Sequence, residues 1–98
     1  MAQRTWLVYL VRCSDNSLYC GITNNLQNRL EEHNSGNGAK YTRSRIPVTL
    51  VGTSSEMTRS DALKLEYRVK QLPSSKKKIA LARQRAEKGK GKPEDRKK

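Results

Sequence analysis

Residues 5–23, TWLVYLVRCSDNSLYCGIT, decide how the sheet of this protein is built. The run TWLVYLVR is rich in β-branched and aromatic residues and has no helical spacing. After CSDNS, a cluster of turn-forming residues, SLYCGIT resumes the apolar pattern. Two such runs around a short polar turn predict a β-hairpin.

The length of the turn decides whether Tyr9 and Tyr19 share a face. Partners in an antiparallel pair have a constant sum of residue numbers, and side chains alternate between faces, so a shared face requires an odd loop. A loop over residues 14–16 would place Tyr9 opposite Gly21, which leaves space in front of the tyrosine, and Tyr19 opposite Val11. The core face would then hold Val8, Leu10, Leu18, Cys20 and Ile22. The alternative is two half-buried strand tyrosines without a role in a site.

The rest of the chain predicts three helices and one further strand. Asn24, a good N-cap with Gln27 three residues on, and leucines at helical spacing predict a first helix over about residues 25–34. The stretch GNGAKYTRSRIP predicts a loop, and VTLVGT predicts a third strand. Thr58 or Ser60 can cap a second helix across SDALKLEYRVKQL, and SSKKKIALARQRAE predicts a third. This order predicts an α/β arrangement of the α+β type around a small sheet.

Composition indicates one small domain with a strongly basic end. The chain has 98 residues, 34% of them hydrophobic, which predicts a domain over residues 1–87 and a disordered basic tail over residues 88–98. The net charge is +12, and residues 73–98 carry +8 of it. Such a field attracts polyanions, and nucleic acid is the commonest inside cells.

Other features of the composition bear on location. No apolar run reaches 18 residues and the N-terminus lacks a secretory pattern. We therefore expect a soluble cytoplasmic protein without a membrane partner. An association with the nucleoid is left open. Cys13 and Cys20 are expected to be reduced, partly buried thiols, with a disulfide across the hairpin as the alternative.

Three charged or titratable residues are candidates for chemistry. Arg29 and His33 are four residues apart and therefore project from the same face of the first helix. An arginine offers planar donors to a phosphate and a histidine can move a proton near neutral pH, although a solvated helix edge has the same pattern. Glu66 falls within the apolar stripe of the second helix, where a carboxylate is costly unless it binds a metal or pairs with a cation such as Arg29.

The predicted loop after the first helix concentrates cations around an aromatic ring and a hydroxyl. This pattern suits contact with phosphates and base faces, and a solvated basic loop is the alternative. The candidate nucleic-acid-binding residues are Lys40, Tyr41, Thr42, Arg43 and Arg45.

Together these residues resemble the GIY-YIG nuclease family, in the small stand-alone bacterial form that is similar to the catalytic domain of structure-selective junction nucleases. The two signature tripeptides stand as Leu7-Val8-Tyr9, with Leu7 where glycine is usual, and Tyr19-Cys20-Gly21. The match covers about residues 5–72 and continues through Thr23, Asn24, Arg29, His33-Asn34, Gly38-Ala39-Lys40, Thr42-Arg43 and Glu66.

The resemblance implies a three-stranded antiparallel sheet flanked by helices and a metal-dependent endonuclease acting on phosphodiester bonds in DNA, branched or single-stranded, in repair or recombination. Glu66 would hold Mg²⁺ or Mn²⁺, Tyr9 would orient or deprotonate the attacking water with help from the metal or Arg29, and Arg29 would stabilise phosphoryl charge. Tyr19 and His33 would position the water or assist proton transfer. The expected partner is DNA. The protein is expected to be a monomer or weak dimer, and the need for a protein partner that targets it is left open. The alternatives are a non-catalytic nucleic-acid-binding protein that keeps the fold, and a small regulatory or ribosome-associated protein.

Overall fold

A three-stranded antiparallel sheet with helices on both faces forms the protein. The computed structural model describes residues 3–90, with side chains up to residue 87. The central strand is β1, so the sheet order is β2-β1-β3, and both pairs are antiparallel, as the resemblance implied. The elements in chain order are β1 (Leu7–Arg12), β2 (Leu18–Thr23), α1 (Leu26–Asn34), α2 (Lys40–Arg43), β3 (Thr49–Thr53), α3 (Arg59–Lys70) and α4 (Ser74–Lys90).

The hairpin has the predicted odd loop. The backbone N–H of Cys13 donates to the carbonyl of Ser17 at 2.8 Å, so residues 14–16 form the turn. Asn16 has φ 69°, a left-handed conformation that asparagine tolerates better than most residues. The resulting register places Tyr9 opposite Gly21 and Val11 opposite Tyr19, which confirms that the two tyrosines share a face.

Each face of the sheet has its own core. On the reverse face, α3 and α4 cover a cluster of Val8, Leu10, Cys20, Met57, Ala62, Leu65, Val69 and Leu81. On the front face, α1 packs Leu26 and Leu30 against a cluster of Tyr9, Val11, Cys13 and Val48. The two cysteines are free and buried, as predicted. They lie in different clusters on opposite faces of the sheet, so they do not pair.

Local hydrogen bonds move the start of α1 one residue later than predicted. The side chain of Asn25, not that of Asn24, accepts a hydrogen bond from the backbone N–H of Asn28. Asn25 itself donates its backbone N–H to Thr23 Oγ1 at 3.0 Å. This turn at the end of β2 sets which asparagine reaches the cap position. Thr58 caps α3 as one of the two predicted candidates.

Two predicted boundaries also differ from the structure. Residues 40–43, predicted as loop, form the single turn of α2, because the backbone N–H groups of Thr42 and Arg43 both donate to the carbonyl of Ala39. One turn is too short to produce a helical pattern in the sequence. The helix α4 continues through residues 88–90, which the sequence assigned to the tail, and residues 91–98 lie outside the described residues. Among the described residues, no helix is long and apolar enough to cross a membrane.

Candidate active site

Tyr9 is at the centre of the candidate site, on the front face of the central strand. Its side chain is fully buried, and its ring lies over Gly21 of the neighbouring strand. A Cβ atom at position 21 would lie 2.6 Å from the Tyr9 hydroxyl oxygen and 2.8 Å from Cζ. Glycine is therefore required at position 21 for the tyrosine ring to lie flat against β2.

A chain of hydrogen bonds runs from Tyr9 through His33 to the loop after α1. The Tyr9 hydroxyl is 2.8 Å from His33 Nε2, and His33 Nδ1 is 2.8 Å from Thr42 Oγ1. The Thr42 hydroxyl donates its only hydrogen to the carbonyl of Ala39 at 3.0 Å. With its hydrogen directed at Ala39, Thr42 accepts from His33 Nδ1–H, since a hydroxyl has one hydrogen to donate, and we assign the Nδ1–H tautomer on this geometry. In the neutral ring Nε2 is then an acceptor, and Tyr9 donates to it.

Arg29 lies above this pair and is itself held by a carboxylate. Its Nε donates to the Tyr9 hydroxyl oxygen at 3.3 Å, and its Nη1 lies 2.8 Å from Glu32 Oε1. Burial acts against its charge, but the hydrogen bonds to Glu32 and Tyr9 outweigh that effect and raise the pKa of the guanidinium. Arg29 is thus a permanent cation beside the phenol, and the predicted proximity of Arg29 and His33 on one helix face is present in the structure.

The electrostatics set the protonation states of the pair. Burial raises the pKa of Tyr9 to about 12, although the Arg29 hydrogen bond and charge act in the opposite direction. Burial, and then the Arg29 charge, lower the pKa of His33 below its ordinary value. At neutral pH Tyr9 is therefore a phenol and His33 a neutral imidazole. Arg29 acts to lower the Tyr9 pKa, but desolvation is the larger influence, so the net shift of the Tyr9 pKa is upward.

Tyr19 and Tyr41 extend the site along β2. The Tyr19 ring centroid is 5.5 Å from that of His33 in an edge-on arrangement and 6.4 Å from that of Tyr9. Tyr41 stacks on Tyr19 with centroids 6.0 Å apart and an interplanar angle of 19°. The guanidinium of Arg45 lies over Tyr41, 4.0 Å from the ring centroid. The aromatic surface therefore begins at the buried pair and reaches the exterior at Tyr41.

The five predicted nucleic-acid-binding residues separate into different environments. Lys40 and Arg43 are exposed, and Tyr41 is 39% exposed. Arg45 is held by two contacts within the protein: its Nε lies 3.0 Å from Asp15 Oδ2, and its Nη1 donates to the carbonyl of Tyr41. Thr42 corrects the prediction, because its side chain is fully buried against His33 and cannot touch a nucleic acid.

Glu66 lies on the reverse side of the sheet and reaches its edge beside β2. Its carboxylate pairs with Lys70 one turn later at 3.1 Å, and its side chain is 18% exposed. The expected pair with Arg29 is wrong, since Arg29 bonds Glu32 and α3 packs on the opposite face of the sheet. Burial, with the Glu66 charge as the second cause, raises the pKa of Cys20 to about 11, which places Glu66 close to Cys20.

Around Glu66, the described residues offer a metal ion one protein ligand, the Glu66 carboxylate. Within residues 3–90 no three His, Cys, Asp or Glu side chains come together. Mg²⁺ is commonly held by one or two carboxylates together with substrate phosphates and water, so one carboxylate that solvent can reach meets the minimum. In the described structure Lys70 is the cation that Glu66 holds.

Gly38 and Asn34, to which the sequence alone assigns no role, fix the segments that surround the site. A Cβ atom at Gly38 would lie 2.8 Å from the backbone Cα of His33, and closer still to His33 Nδ1, so only glycine lets this segment pass the histidine. Asn34 accepts from the backbone N–H of Val48 at 2.6 Å and donates to its carbonyl at 3.2 Å. Both residues stood in the sequence match, but neither the close approach of Gly38 to His33 nor the contact of Asn34 with Val48 follows from a local pattern.

Fold and site together define a small α+β domain in which two adjacent strands bring a tyrosine pair to a histidine and an arginine on one helix. The family model described as the GIY-YIG catalytic domain matches residues 5–79. The chain therefore belongs to the GIY-YIG family, a family of nucleases.

Relatives of similar size carry a family name without a stated activity. A UPF0213 protein of Nitratidesulfovibrio vulgaris is 47% identical over 81 residues, 83% of this chain and 74% of the relative. A UPF0213 protein of Bacillus velezensis is 47% identical over 88 residues, 90% of this chain and 89% of the relative. The solution NMR structure of an E. faecalis protein, 40% identical, covers 84% of this chain and 88% of that chain with a TM-score of 0.56. These similarities agree with the α+β fold described above.

Proposed function

We propose that this protein is a divalent-metal-dependent endonuclease that hydrolyses phosphodiester bonds in DNA, on branched or single-stranded regions. The observation that carries the proposal is the buried chain Tyr9–His33–Thr42, in which the Tyr9 hydroxyl is 2.8 Å from His33 Nε2 and His33 Nδ1 is 2.8 Å from Thr42 Oγ1. A purely structural tyrosine does not need a histidine of fixed tautomer as its partner. A proton acceptor that works at neutral pH does.

The proton path follows from the hydrogen bonds. A water molecule that attacks the phosphorus atom must lose a proton as the new P–O bond forms and the bond to the leaving oxygen breaks. The Tyr9 oxygen takes that proton while its own proton passes to His33 Nε2. With a pKa of about 12, Tyr9 is not a phenolate before the reaction, so the two transfers are coupled. His33 is ready to accept because burial and Arg29 lower its pKa and keep it neutral at pH 7.

Arg29 has two roles in this proposal. Its guanidinium can donate to the non-bridging phosphoryl oxygens, where negative charge increases in the transition state. In the free protein it covers the Tyr9 hydroxyl and bonds Glu32, whose side chain is partly exposed. A substrate phosphate competes with Glu32 for the guanidinium, and movement of Arg29 toward the phosphate opens the Tyr9 oxygen to water.

Glu66 is the residue that would hold the divalent ion, Mg²⁺ or Mn²⁺, together with a substrate phosphate. When bound, such an ion supplies positive charge beside the leaving oxygen. The protein's own part is to present one carboxylate at the edge of β2, close to Cys20.

Cleavage of labelled DNA tests the proposal. Single-stranded, duplex and branched substrates are incubated with the wild type and Glu66→Gln, with Mg²⁺, with Mn²⁺ and with a chelator. We expect metal-dependent cutting by the wild type and a loss of at least about 100-fold in Glu66→Gln, because the amide is a much weaker metal ligand. Asp61→Asn, an exposed acid in the first turn of α3, is the matched control and should cut at the wild-type rate.

A second function, binding of nucleic acid without cleavage, is favoured by one observation. Both polar groups that chemistry would need are occupied within the protein, since Arg29 bonds Glu32 and Glu66 bonds Lys70. Wild-type protein that binds these substrates but leaves them intact with either metal would establish this function and overturn the nuclease proposal.

Thr42→Val tests whether the threonine sets the histidine tautomer. Valine has nearly the same shape but cannot accept from His33 Nδ1–H, so the proton should move to Nε2 and the imidazole should no longer accept from Tyr9. We expect about a 10- to 100-fold loss of cleavage rate. The ¹⁵N chemical shifts of the His33 ring should report the change of tautomer. Thr42→Ser keeps the hydroxyl and should restore both the rate and the shifts, whereas an unchanged tautomer in Thr42→Val would contradict this role.

A further inference from the structure

A cleft at the free edge of β2 is separate from the Tyr9 hydrogen-bond chain. Its volume is about 250 Å³, and its lining residues are Leu18, Tyr19, Cys20, Tyr41, Lys70 and Lys77. Within residues 3–90 the strand β2 pairs with β1 alone, and residues of both α2 and α3 line the cleft at its other edge. The cleft therefore joins the front and reverse faces of the sheet.

One wall of the cleft is aromatic and connects it to the candidate active site. Tyr41 and Tyr19 stack there, and the same Tyr19 ring lies edge-on to His33. A ligand that contacts these rings is therefore separated from the Tyr9–His33 pair by the Tyr19 side chain alone. Aromatic side chains of this kind stack on nucleobases without sequence preference.

The opposite wall is cationic. Lys77 Nζ donates to the last carbonyls of α3, those of Val69 at 2.9 Å and Lys70 at 3.2 Å, which holds this ammonium group at the rim. Lys70 Nζ lies 3.1 Å from Glu66 Oε2, but its side chain is 49% exposed, so an anion from solvent can reach it. Two ammonium groups against the single carboxylate of Glu66 leave an excess of positive charge beside the aromatic wall.

We propose that this cleft binds one nucleotide of a single-stranded segment next to the cleaved phosphodiester, with its base against the exposed edge of the Tyr41–Tyr19 stack and its phosphate on Lys70. Lys70 exchanges the Glu66 carboxylate for the phosphate, so nucleic-acid binding frees Glu66. The inference rests on the proposed function for its substrate, but it concerns binding and not chemistry. The combination of an aromatic surface with an exposed cation matches a nucleotide, whose two parts are a flat ring and an anion.

The exchange of the Glu66 carboxylate for a phosphate on Lys70 predicts changes in binding affinity that depend on neither metal nor cleavage. In the free protein Glu66 competes with phosphate for Lys70, so Glu66→Gln should bind a nucleic-acid strand more tightly than the wild type. Lys70→Gln should bind it more weakly. In the double variant the gain from Glu66→Gln should disappear, because the competition that it relieves no longer exists.

Fluorescence anisotropy of a labelled single-stranded 12-mer, measured with a chelator and at one fixed salt concentration, tests the proposal on the full chain. We expect about a five- to tenfold loss of affinity in Lys70→Gln and about a two- to fivefold gain in Glu66→Gln. Lys64→Gln and Asp61→Asn make the same charge changes on a different surface of α3 and should each stay within about twofold of the wild type.

Two results would overturn the proposal. One is equal loss of affinity in Lys70→Gln and Lys64→Gln, which would indicate attraction by net charge alone. The other is an undiminished gain from Glu66→Gln when Lys70 is already glutamine. Neither depends on cleavage, so a protein that does not cut DNA can still pass this test, and one that cuts can fail it.

Discussion

Tyr9→Phe should reduce the rate of DNA cleavage by about 10²- to 10⁴-fold, the range expected when a residue that accepts a proton in the transition state is lost. The substitution removes only the hydroxyl, so the ring keeps its place over Gly21. His33 Nε2 and Arg29 Nε each lose a buried partner, which should cost about 1–3 kcal/mol of folding free energy. Single-turnover rates, with thermal unfolding followed by circular dichroism, measure the two effects separately.

Two comparisons make the Tyr9 result specific. Tyr67→Phe removes the same hydroxyl from an exposed residue of α3 and should leave the rate unchanged. Oligonucleotide affinity of Tyr9→Phe should stay within about twofold of the wild type, because the buried hydroxyl does not reach the exterior. A rate within tenfold of the wild type would exclude Tyr9 as the acceptor of the water proton.

Gly38→Ala should cause a large loss of stability for the addition of a single methyl group. The added carbon would overlap the backbone Cα of His33 at 2.8 Å, and a backbone atom cannot move aside as a flexible side chain can. Overpacking of this kind costs about 1–3 kcal/mol, or roughly 4–8 °C in Tm for each kcal/mol in a domain of this size. The loop would have to retreat from α1, so Thr42 would also be drawn away from His33 and cleavage should fall with stability.

Gly52→Ala is the matched control for this effect. In β3 the nearest atom to an added Cβ atom is Lys78 Cγ at 4.0 Å, which is ordinary contact distance. Thermal unfolding should therefore place Gly52→Ala within about 0.5 kcal/mol of the wild type. Equal Tm values for the two alanine variants would show that the segment around Gly38 adjusts without cost and would remove the steric argument.

Short-range patterns predicted the parts of the site that lie on one element or one hairpin. The parity of a three-residue loop was sufficient to place Tyr9 opposite Gly21, and helical spacing was sufficient to put Arg29 and His33 on one face. These relations depend on strand and helix geometry alone, which is the same in every protein. The one-residue error at the cap of α1 shows the limit, because the Thr23 hydrogen bond that selects Asn25 is a detail of the turn.

Contacts between distant segments were decided by the tertiary structure. Thr42 lies in a segment whose composition predicted nucleic-acid binding, but the turn of α2 buries its side chain, with Oγ1 2.8 Å from His33 Nδ1. An ion pair between Glu66 and Arg29 was the alternative to metal binding at Glu66, but the helices that carry them cover opposite faces of the sheet, and Glu66 pairs with Lys70 instead. Sequence by itself determined the hairpin register and the helix faces, since these follow from local periodicity. It indicated the family through the resemblance of its ordered motif residues. Which helix covers which face, and thus which charges meet, depends on how the whole chain buries its apolar surface.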